Sequence, residues 1–331
     1  MLQFLTENQE IISQVRHFFD EWQNESDTII TQTSGSTGVP KEIVLKKEFM
    51  RNSALASGAF FGFQKGQHIR LALSPQTIGG KMLLLRGLLY EMIIEIVEPS
   101  KQPLENVSET IDFISLVPYQ LSQLIENQPE KLKNVKTILL GGAAVSAQLT
   151  AQIQSLENVV YASYGMTETM SHVALRDMKK SRFFQAIDGV MFSIGEQNQL
   201  IIDAPNLGIQ HLVTNDVVKL LSPTTFEWQG RLDFVINSAG VKIHPEKIEN
   251  TLSSLISSRF FVIGEPDEKF GERVVLVIES EKQEMDFPFE KYLSKYEIPK
   301  RITYLRSFIE TNSGKINRLE TKKLIDESQN Y

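Results

Sequence analysis

The chain has 331 residues, of which 41% are hydrophobic and 23% charged, and its formal net charge is −7. This length suits two domains, the acidic balance argues against a nucleic-acid partner, and the absence of cysteine excludes disulfides, thiolate metal sites and a cysteine nucleophile. The N-terminus has no signal-peptide core and no apolar run is long enough to span a membrane, so we expect a cytoplasmic protein.

The first predicted element is an amphipathic helix over residues 4–23, because its apolar side chains recur at helical spacing. A short apolar strand over residues 28–30 follows, and a second one covers residues 42–45. Between them, residues 33–41 read Thr-Ser-Gly-Ser-Thr-Gly-Val-Pro-Lys, so this stretch is predicted to be the tip of a hairpin.

The composition of this tip favours a polyphosphate ligand. Its two glycines let the backbone approach a ligand closely, and its hydroxyls, its free N–H groups and a lysine can face an anion. A Walker A loop is excluded, because this stretch lacks Gly-Lys and a proline precedes its lysine. The alternative is a flexible surface turn. The residues predicted to contact phosphate are Thr33, Ser34, Gly35, Ser36, Thr37, Gly38 and Lys41.

Strands and helices then alternate. Helices are predicted over residues 47–61, 81–90, 119–125 and 146–155, and strands over residues 70–73, 112–117, 135–140 and 159–163. This succession favours an α/β fold with a mainly parallel sheet covered by helices. Gly141, Gly142 and Ala143 follow one strand, and Tyr164-Gly-Met-Thr-Glu168 follows the next. Ligands bind beyond the carboxyl ends of such strands, so both pieces are expected at one crevice.

Short strands prevail over residues 192–221, and the rest of the chain has the pattern of a small α+β unit. Helices are predicted there over residues 245–256 and 289–296, and strands over residues 259–263, 273–279 and 302–305.

Five stretches in this order resemble the signatures of the acyl-adenylate-forming superfamily, which comprises acyl-CoA synthetases, peptide-synthetase adenylation domains and luciferases. They are residues 33–41, 164–168, 211–216, 230–240 and 311–318. The resemblance implies ATP, Mg²⁺ and CoA as ligands. Relatives usually carry a longer segment before the phosphate loop, so we expect one layer of the large domain to be shortened here.

The resemblance also implies roles for the nucleotide-binding residues. Tyr164 offers a flat face for adenine, with Gly165 and Met166 beside it. Thr167 would donate a hydrogen bond to phosphate, and Glu168 would supply an oxygen for Mg²⁺. Asp216 would accept hydrogen bonds from the ribose, and Arg231 would meet the ribose or the α-phosphate. Asn215 stands where the family has glycine, and asparagine tolerates a positive φ better than most residues.

At the family's domain junction, Asp233 matches the hinge residue. The implied division is a large domain over residues 1–232 and a small mobile domain over residues 233–331. Ser238, Ala239 and Gly240 would line the passage for the pantetheine of CoA, although relatives usually have glycine in place of Ala239. Lys315 would be the catalytic lysine of adenylation, where a point charge suits crowded carboxylate and phosphate oxygens.

The acid substrate is implied less directly. Thr77 stands where the family often has a histidine near the acyl pocket, and Lys81 and His172 are further candidates for contact with the acid. Arg86 matches an arginine that o-succinylbenzoate–CoA ligases of menaquinone biosynthesis use for their acid. The alternatives are solvated helix charges and a structural histidine. The function most like this pattern is therefore an o-succinylbenzoate–CoA ligase. Another aryl- or acyl-CoA ligase, a stand-alone adenylation enzyme and a non-catalytic nucleotide-binding homologue remain open.

Overall fold

The computed structural model describes residues 1–32, 41–107, 109–281, 287–310 and 316–328. The phosphate-loop residues 33–40 and Lys315 therefore lie outside the described residues. Within the described ranges the helices are α1 (Gln9–Gln23), α2 (Lys47–Phe61), α3 (Ile78–Leu89), α4 (Pro118–Asn127), α5 (Ala147–Ile153), α6 (Pro245–Leu252) and α7 (Arg318–Ser328). None of these is long and apolar enough to cross a membrane.

The described residues contain 19 strands, of which ten lie before residue 187 and nine after it. They are β1 (Leu2–Phe4), β2 (Thr28–Gln32), β3 (Glu42–Lys46), β4 (His68–Leu71), β5 (Ile93–Ile96), β6 (Ile111–Leu116), β7 (Val135–Leu140), β8 (Val159–Gly165), β9 (His172–Asp177) and β10 (Phe184–Ala186). The remaining strands are β11 (Met191–Ile194), β12 (Gln199–Ala204), β13 (Ile209–Ser222), β14 (Thr225–Arg231), β15 (Ile236–Ser238), β16 (Val241–Ile243), β17 (Phe260–Asp267), β18 (Gly271–Glu279) and β19 (Arg301–Leu305).

The largest sheet has 12 strands in the order β1-β5-β4-β6-β7-β8-β9-β10-β14-β13-β12-β11. The pairs from β1 to β8 are parallel, and those from β8 onward are antiparallel. The α/β prediction is confirmed, and the parallel half is the part built from alternating strands and helices. In the antiparallel half, neighbouring strands are consecutive in the chain except that β10 pairs with β14, so that β11 forms the edge of the sheet.

The N-terminal helix begins later than predicted. Residues 2–4 form β1, which pairs in parallel with β5, and α1 starts at Gln9. Asn8 caps the helix, because its side-chain oxygen accepts hydrogen bonds from the N–H groups of Glu10 (3.0 Å) and Ile11 (3.4 Å). The predicted apolar face is buried against the main hydrophobic cluster through Ile11, Val15 and Phe18.

The predicted hairpin is present. β2 and β3 pair antiparallel over five residues each, from Thr28↔Lys46 to Gln32↔Glu42. This pairing places Gln32 beside Glu42, on either side of the phosphate-loop stretch. Helix α2 then follows directly and has the predicted bounds.

Helix α3 begins at Ile78, three residues before the predicted start at residue 81. The reason is Thr77, whose hydroxyl accepts a hydrogen bond from the Gly80 N–H (3.2 Å) and so caps the helix. The two glycines that suggested a turn are therefore part of its first turn. The helix lies against the main cluster through an unbroken buried run over residues 82–85.

Residues after Arg231 form a separate sheet in the order β16-β15-β18-β17, with β19 also pairing with β18. Its apolar residues form clusters of their own. The helix predicted over residues 289–296 is wrong: only the 3-10 turn Phe289–Lys291 forms, because the Ser294 N–H donates to the Glu297 side chain (3.0 Å) instead of to a backbone carbonyl. Helix α6 ends at Leu252, earlier than predicted, and α7 was not predicted.

Candidate active site

The carboxyl ends of β7 and β8 lie side by side, because these strands pair in parallel from Thr137↔Val159 to Leu140↔Ala162. The Ser163 hydroxyl donates to the Leu140 carbonyl (2.8 Å) and ties the two ends together. Gly141, Gly142 and Ala143 thus emerge next to the segment that begins at Tyr164. The two glycine-containing pieces do occupy one edge of the sheet.

A 3-10 turn over Thr167–Thr169 follows β8 and leaves Glu168 exposed. The backbones meet closely at Gly165, where an added Cβ would lie 2.2 Å from the Ser171 carbonyl oxygen, so only glycine fits. The turn ends at Met170 with φ +60°, a strained conformation for this residue that functional sites often contain. Strand β3, which begins just after Lys41, packs against this turn, so the stem of the phosphate-loop hairpin adjoins Glu168.

The Asp216 carboxylate is held by two aromatic side chains. Its Oδ2 accepts from the Tyr164 hydroxyl (2.8 Å) and its Oδ1 from the Trp228 indole N–H (2.9 Å). Burial, with the neighbouring Asp216 charge, raises the pKa of Tyr164 well above its ordinary value, so this hydroxyl stays protonated as a donor. Tyr164 packs edge-on against Phe184 and Phe226, with 9% of its surface exposed.

Arg231 lies directly opposite Asp216 in the β13–β14 register. Its guanidinium is bound by Asp233, with Nη2 2.8 Å from Oδ2 and Nε 3.2 Å from Oδ1. The positive φ considered for Asn215 is absent: this residue lies in β13, at the register shift between the β12 pairs Gln199↔Val217 and Ile201↔Val213. Tyr164, Asp216 and Arg231 are thus brought together.

Ser238, Ala239 and Gly240 form the end of a hairpin. Ser238 is buried in β15 and pairs with Val241, which leaves Ala239 and Gly240 as a two-residue turn. Both turn residues have positive φ, +52° and +79°, as the type I′ turns of tight hairpins require. Ala239 is therefore strained at a position where glycine would be relaxed.

Arg86 and His172 meet in the interior of the large sheet's helical layer. The Arg86 Nη2 donates to the Ser171 hydroxyl (2.7 Å), which lies 3.4 Å from His172 Nδ1. On the other side of the ring, Nε2 lies 2.9 Å from the Ser57 hydroxyl, and that hydroxyl donates to the Ser53 carbonyl (3.0 Å). These groups belong to α2, α3 and the start of β9, and they form one connected hydrogen-bond chain.

The direction of each bond in this chain follows from its ends. The Ser57 hydroxyl donates its only proton to the Ser53 carbonyl. It therefore accepts a hydrogen bond from a protonated Nε2 of His172. Burial, and secondly the charge of Arg86, lower the pKa of His172 well below its ordinary value. The ring is therefore neutral, and its free Nδ1 accepts from Ser171. Arg86 is the cation of this group, and burial lowers its pKa to about 10.

The other two residues expected near the acid are placed differently. Lys81 is buried, with its Nζ 3.4 Å from the Ile30 carbonyl oxygen and 3.7 Å from Glu21 Oε2 on α1. The Thr77 hydroxyl caps α3 and donates to the Ser74 carbonyl (2.8 Å). Thr77 and Arg86 stand at opposite ends of α3, about 13 Å apart at 1.5 Å per residue. The four residues do not form one cluster.

Sequence reasoning missed Ser57, Ser171 and Trp228. Serines carry no distinguishing pattern in a sequence, and both are located only by the packing of α2 and α3 on β9. Trp228 has a weak signal, since a half-buried indole usually needs an acceptor for its N–H. Among the described residues no three or more His, Asp or Glu side chains lie close enough together to hold a metal ion.

Comparison with known proteins places the chain in a family. A profile of the AMP-binding enzymes matches residues 4–203. A 2-succinylbenzoate–CoA ligase of Listeria monocytogenes serotype 4b (strain F2365) is 27% identical over 336 residues, which cover 92% of this chain and 71% of the relative.

Two solved structures are also similar. The acyl-CoA synthetase (AMP-forming)/AMP-acid ligase II-like protein of Dyadobacter fermentans DSM 18053 is 33% identical, with a TM-score of 0.64, over 97% of this chain and 96% of that one. The o-succinylbenzoate coenzyme A synthetase of Bacillus subtilis, in complex with ATP and magnesium ion, shares the fold at 22% identity and a TM-score of 0.76, over 88% of this chain and 69% of that one. Since the family profile covers more than half of the residues, the chain belongs to the AMP-binding enzyme family.

Proposed function

We propose that the chain is an AMP-forming acid–CoA ligase whose acid is an aromatic keto-dicarboxylate of the o-succinylbenzoate type. The family assignment supports the reaction class. The observation that carries the substrate class is Arg86, a buried cation without a carboxylate partner in the described part of the chain.

Arg86 differs from the two other buried cationic side chains, which both have a carboxylate nearby. Arg70, Lys81 and Arg86 are the buried cationic side chains among the described residues. Arg70 is paired with Glu95 at 2.6 Å, and Lys81 has Glu21 at 3.7 Å. Within the described ranges Arg86 has only the Ser171 hydroxyl, and its Nε is buried there without a hydrogen-bond partner. A buried charge without a counter-ion is costly, and a ligand carboxylate would supply charge-assisted hydrogen bonds to it.

Because His172 is neutral, Arg86 is the charged member of this hydrogen-bonded group in the described part of the chain, and the group therefore suits one anionic ligand. The Ser171 hydroxyl holds the guanidinium from one side, and the His172 imidazole and the Ser57 hydroxyl continue the hydrogen-bond chain behind it. The carboxylate that binds Arg86 is proposed to be the one that does not react, and the reacting carboxylate would then point toward the nucleotide residues.

The nucleotide side of the site fits ATP. The Asp216 carboxylate can accept about four hydrogen bonds, and two are used by Tyr164 and Trp228. The remaining lone pairs suit the two ribose hydroxyls, and Arg231 stands opposite for a phosphate. Glu168 is a single exposed carboxylate, which fits an ion that takes most of its ligands from phosphates and water, as Mg²⁺ does. Mg²⁺ bound there would neutralise charge on the departing pyrophosphate.

The reaction would run in two steps. The acid carboxylate attacks the α-phosphorus of ATP and gives acyl-AMP and pyrophosphate. The CoA thiol then attacks the acyl carbon and releases AMP. Residues 33–38 with Lys41 are proposed for the triphosphate, Thr167 and Lys315 for the first step, and the turn of Ser238, Ala239 and Gly240 for the pantetheine.

Exchange of pyrophosphate into ATP, measured with a panel of aromatic and aliphatic acids, tests the proposal. We expect exchange with o-succinylbenzoate, and AMP rather than ADP as product when CoA is added. Release of ADP would overturn the mechanism. If acids support exchange but CoA does not speed AMP release, the chain is a stand-alone adenylation enzyme. If no acid supports exchange although ATP binds, it is a non-catalytic nucleotide-binding homologue.

Arg86→Ala tests the substrate assignment. Removing the guanidinium should raise KM for o-succinylbenzoate far more than KM for ATP. Equal small effects on both constants would mean that Arg86 does not contact the acid.

A further inference from the structure

We propose that Trp228 is a positioning residue for adenine-nucleotide binding: its indole N–H fixes the Asp216 carboxylate in the orientation that receives the ribose hydroxyls. The inference rests on the proposed function, in which Asp216 binds ribose. Trp228 does not touch the nucleotide in this scheme and acts through Asp216.

A β-bulge brings Trp228 to this place. On β14, Trp228 and Arg231 are three residues apart, and side chains at odd spacing on a regular strand point to opposite faces. Here the register shifts between Val217↔Gly230 and Val218↔Trp228, so that Gln229 is the extra residue. The shift returns Trp228 to the face that carries Asp216 and Arg231.

The bulge itself depends on Gly230, which has φ +152°, a value that side chains rarely allow. An added Cβ there would lie 2.5 Å from the Glu246 Oε2. Bulges are common next to active sites, where they redirect a side chain. In this strand the bulge places Arg231 and Trp228 on the same face as the Asp216 carboxylate. Arg231 lies opposite Asp216, and Trp228 donates a hydrogen bond to it.

Each oxygen of the Asp216 carboxylate accepts one hydrogen bond from an aromatic side chain. Tyr164 donates to Oδ2 (2.8 Å) and Trp228 to Oδ1 (2.9 Å), so each oxygen keeps lone pairs for a ligand. With one donor on each oxygen the carboxylate cannot rotate without breaking a bond. The Asp216 N–H is in turn bound to the Thr214 hydroxyl (3.1 Å). Groups held in the productive geometry before binding spare the ligand the cost of ordering them.

A purely structural reading of Trp228 is the competing explanation, since the indole also packs against the main hydrophobic cluster. The two readings differ in what they predict for the ligand. A structural role affects every nucleotide equally, whereas a positioning role affects only nucleotides that carry ribose hydroxyls.

The experiment measures binding of AMP and of 2′,3′-dideoxy-AMP by calorimetry to the wild-type chain and to Trp228→Phe, which keeps an aromatic ring and removes the N–H. We expect AMP to bind about tenfold more weakly to the variant, the size expected for loss of one hydrogen bond to a charged group. The dideoxy nucleotide should bind both proteins equally. Trp22→Phe, which changes the other tryptophan of the chain on α1, is the matched control and should leave both affinities unchanged.

Equal weakening of both nucleotides in Trp228→Phe, or no weakening of either, would overturn the inference. A wild-type protein that binds AMP no better than the dideoxy nucleotide would also overturn it, because Asp216 then does not read the ribose. None of these results would contradict the proposed ligase reaction, which pyrophosphate exchange tests separately.

Nuclear magnetic resonance keeps the inference testable if Trp228→Phe does not fold. With ¹⁵N-labelled tryptophan the protein gives two indole signals, and Trp22→Phe assigns them. AMP should shift the Trp228 signal, whereas the dideoxy nucleotide should shift it much less. Equal shifts with both ligands would contradict the positioning role.

Discussion

The Arg231 guanidinium forms a two-point ion pair with Asp233, two residues further along the chain, at 2.8 and 3.2 Å. Arg231 ends the last strand of the large sheet, and Asp233 lies in the 3-10 turn Leu232–Phe234 that leads to the small sheet. The residue proposed to meet the nucleotide is thus held by the residue proposed as the hinge. A phosphate bound to Arg231 would compete with Asp233, and we therefore expect nucleotide binding and hinge geometry to be coupled.

Asp233→Ala should therefore strengthen AMP binding about two- to fivefold. The two side chains are 31% and 40% exposed, and an ion pair at such exposure contributes about 0.2–1 kcal/mol. In the variant the phosphate of the nucleotide no longer competes with a carboxylate for Arg231. Calorimetry with AMP gives the measurement, and Asp188→Ala, at an exposed position remote from the hinge in sequence, is the control. Weaker AMP binding by Asp233→Ala would indicate instead that Asp233 holds Arg231 ready for the phosphate.

Arg86→Met should stabilise the fold by about 2 kcal/mol, because it removes a buried charge that has no counter-ion in the described structure. Arg70→Met is the matched control: it should destabilise by about 3–5 kcal/mol, since Glu95 would be left buried and unpaired. Urea unfolding of the three proteins measures both changes. If Arg86→Met were as destabilising as Arg70→Met, Arg86 would be a structural cation and its proposed ligand role would lose its basis.

Some of these residues could be predicted from the sequence and others could not, for physical reasons. Helix α2 and strand β7 have the predicted bounds, because local apolar periodicity determines them. Strand β1 depends on pairing with β5, which is about 90 residues away, and no local pattern contains that information. The hydrogen-bond chain from Arg86 to Ser57 also joins three elements that are distant in the sequence, so no local pattern predicts it.

The candidate site divides similarly. Tyr164 and Asp216 stand in signature stretches, so their meeting could be anticipated from a resemblance. Trp228 could not, because its odd spacing from Arg231 predicts the opposite face of a regular strand, and only the bulge reverses this.

Ala239→Gly should raise the free energy of unfolding by about 0.5–1 kcal/mol. Ala239 has φ +52°, where its Cβ is strained, and glycine adopts this conformation at no steric cost even after its greater entropy in the unfolded state is counted. Thermal or urea unfolding measures the change. Ala186→Gly, within β10, should destabilise instead and serves as the comparison. A loss of stability in Ala239→Gly would mean that the turn gains from its methyl group.

Glu246 should make stability depend on pH. Burial raises the pKa of Glu246 to about 7 from 4.5, and its Oε1 accepts from the Arg231 N–H (3.2 Å) while Oε2 is buried without a partner. The folded state keeps this proton after the unfolded state has lost it. The contribution of Glu246 to the free energy of unfolding is therefore complete below pH 4.5 and lost between pH 4.5 and 7.

Glu246→Gln removes this titration and keeps an oxygen for the Arg231 N–H. Relative to the variant, the wild-type protein should lose about 3 kcal/mol of unfolding free energy between pH 4.5 and 7.5, at 1.36 kcal/mol per pKa unit. Urea unfolding at several pH values measures the difference. Glu268→Gln, at an exposed position, should show no such trend. Parallel pH profiles for wild type and Glu246→Gln would mean that Glu246 ionises normally in the fold.

The proposed hinge predicts that substitutions can abolish one half-reaction and leave the other intact. Residues that follow Lys315 are anchored to segments around the small sheet: the Asn317 N–H donates to the Ile309 carbonyl (2.8 Å), and Arg318 pairs with Glu249 of α6 at 2.6 Å. The turn of Ala239 and Gly240 belongs to the same sheet. Lys315 and the turn are proposed for different steps, and a single placement of this unit would have to present both to one acyl carbonyl.

We therefore expect the small domain, residues 233–331, to rotate about Asp233 between the steps, a hinge-type change. Lys315→Ala should abolish acyl-AMP formation and leave CoA transfer from presynthesised acyl-AMP largely intact. Asp233→Pro, which fixes φ near −65°, should do the reverse if it holds the adenylation arrangement. Separate assays of pyrophosphate exchange and of thioester formation measure the two steps, and Lys323→Ala, an exposed lysine of α7, is the control. Equal loss of both steps in Lys315→Ala would refute the two-arrangement scheme, because that lysine would then merely keep the small domain folded.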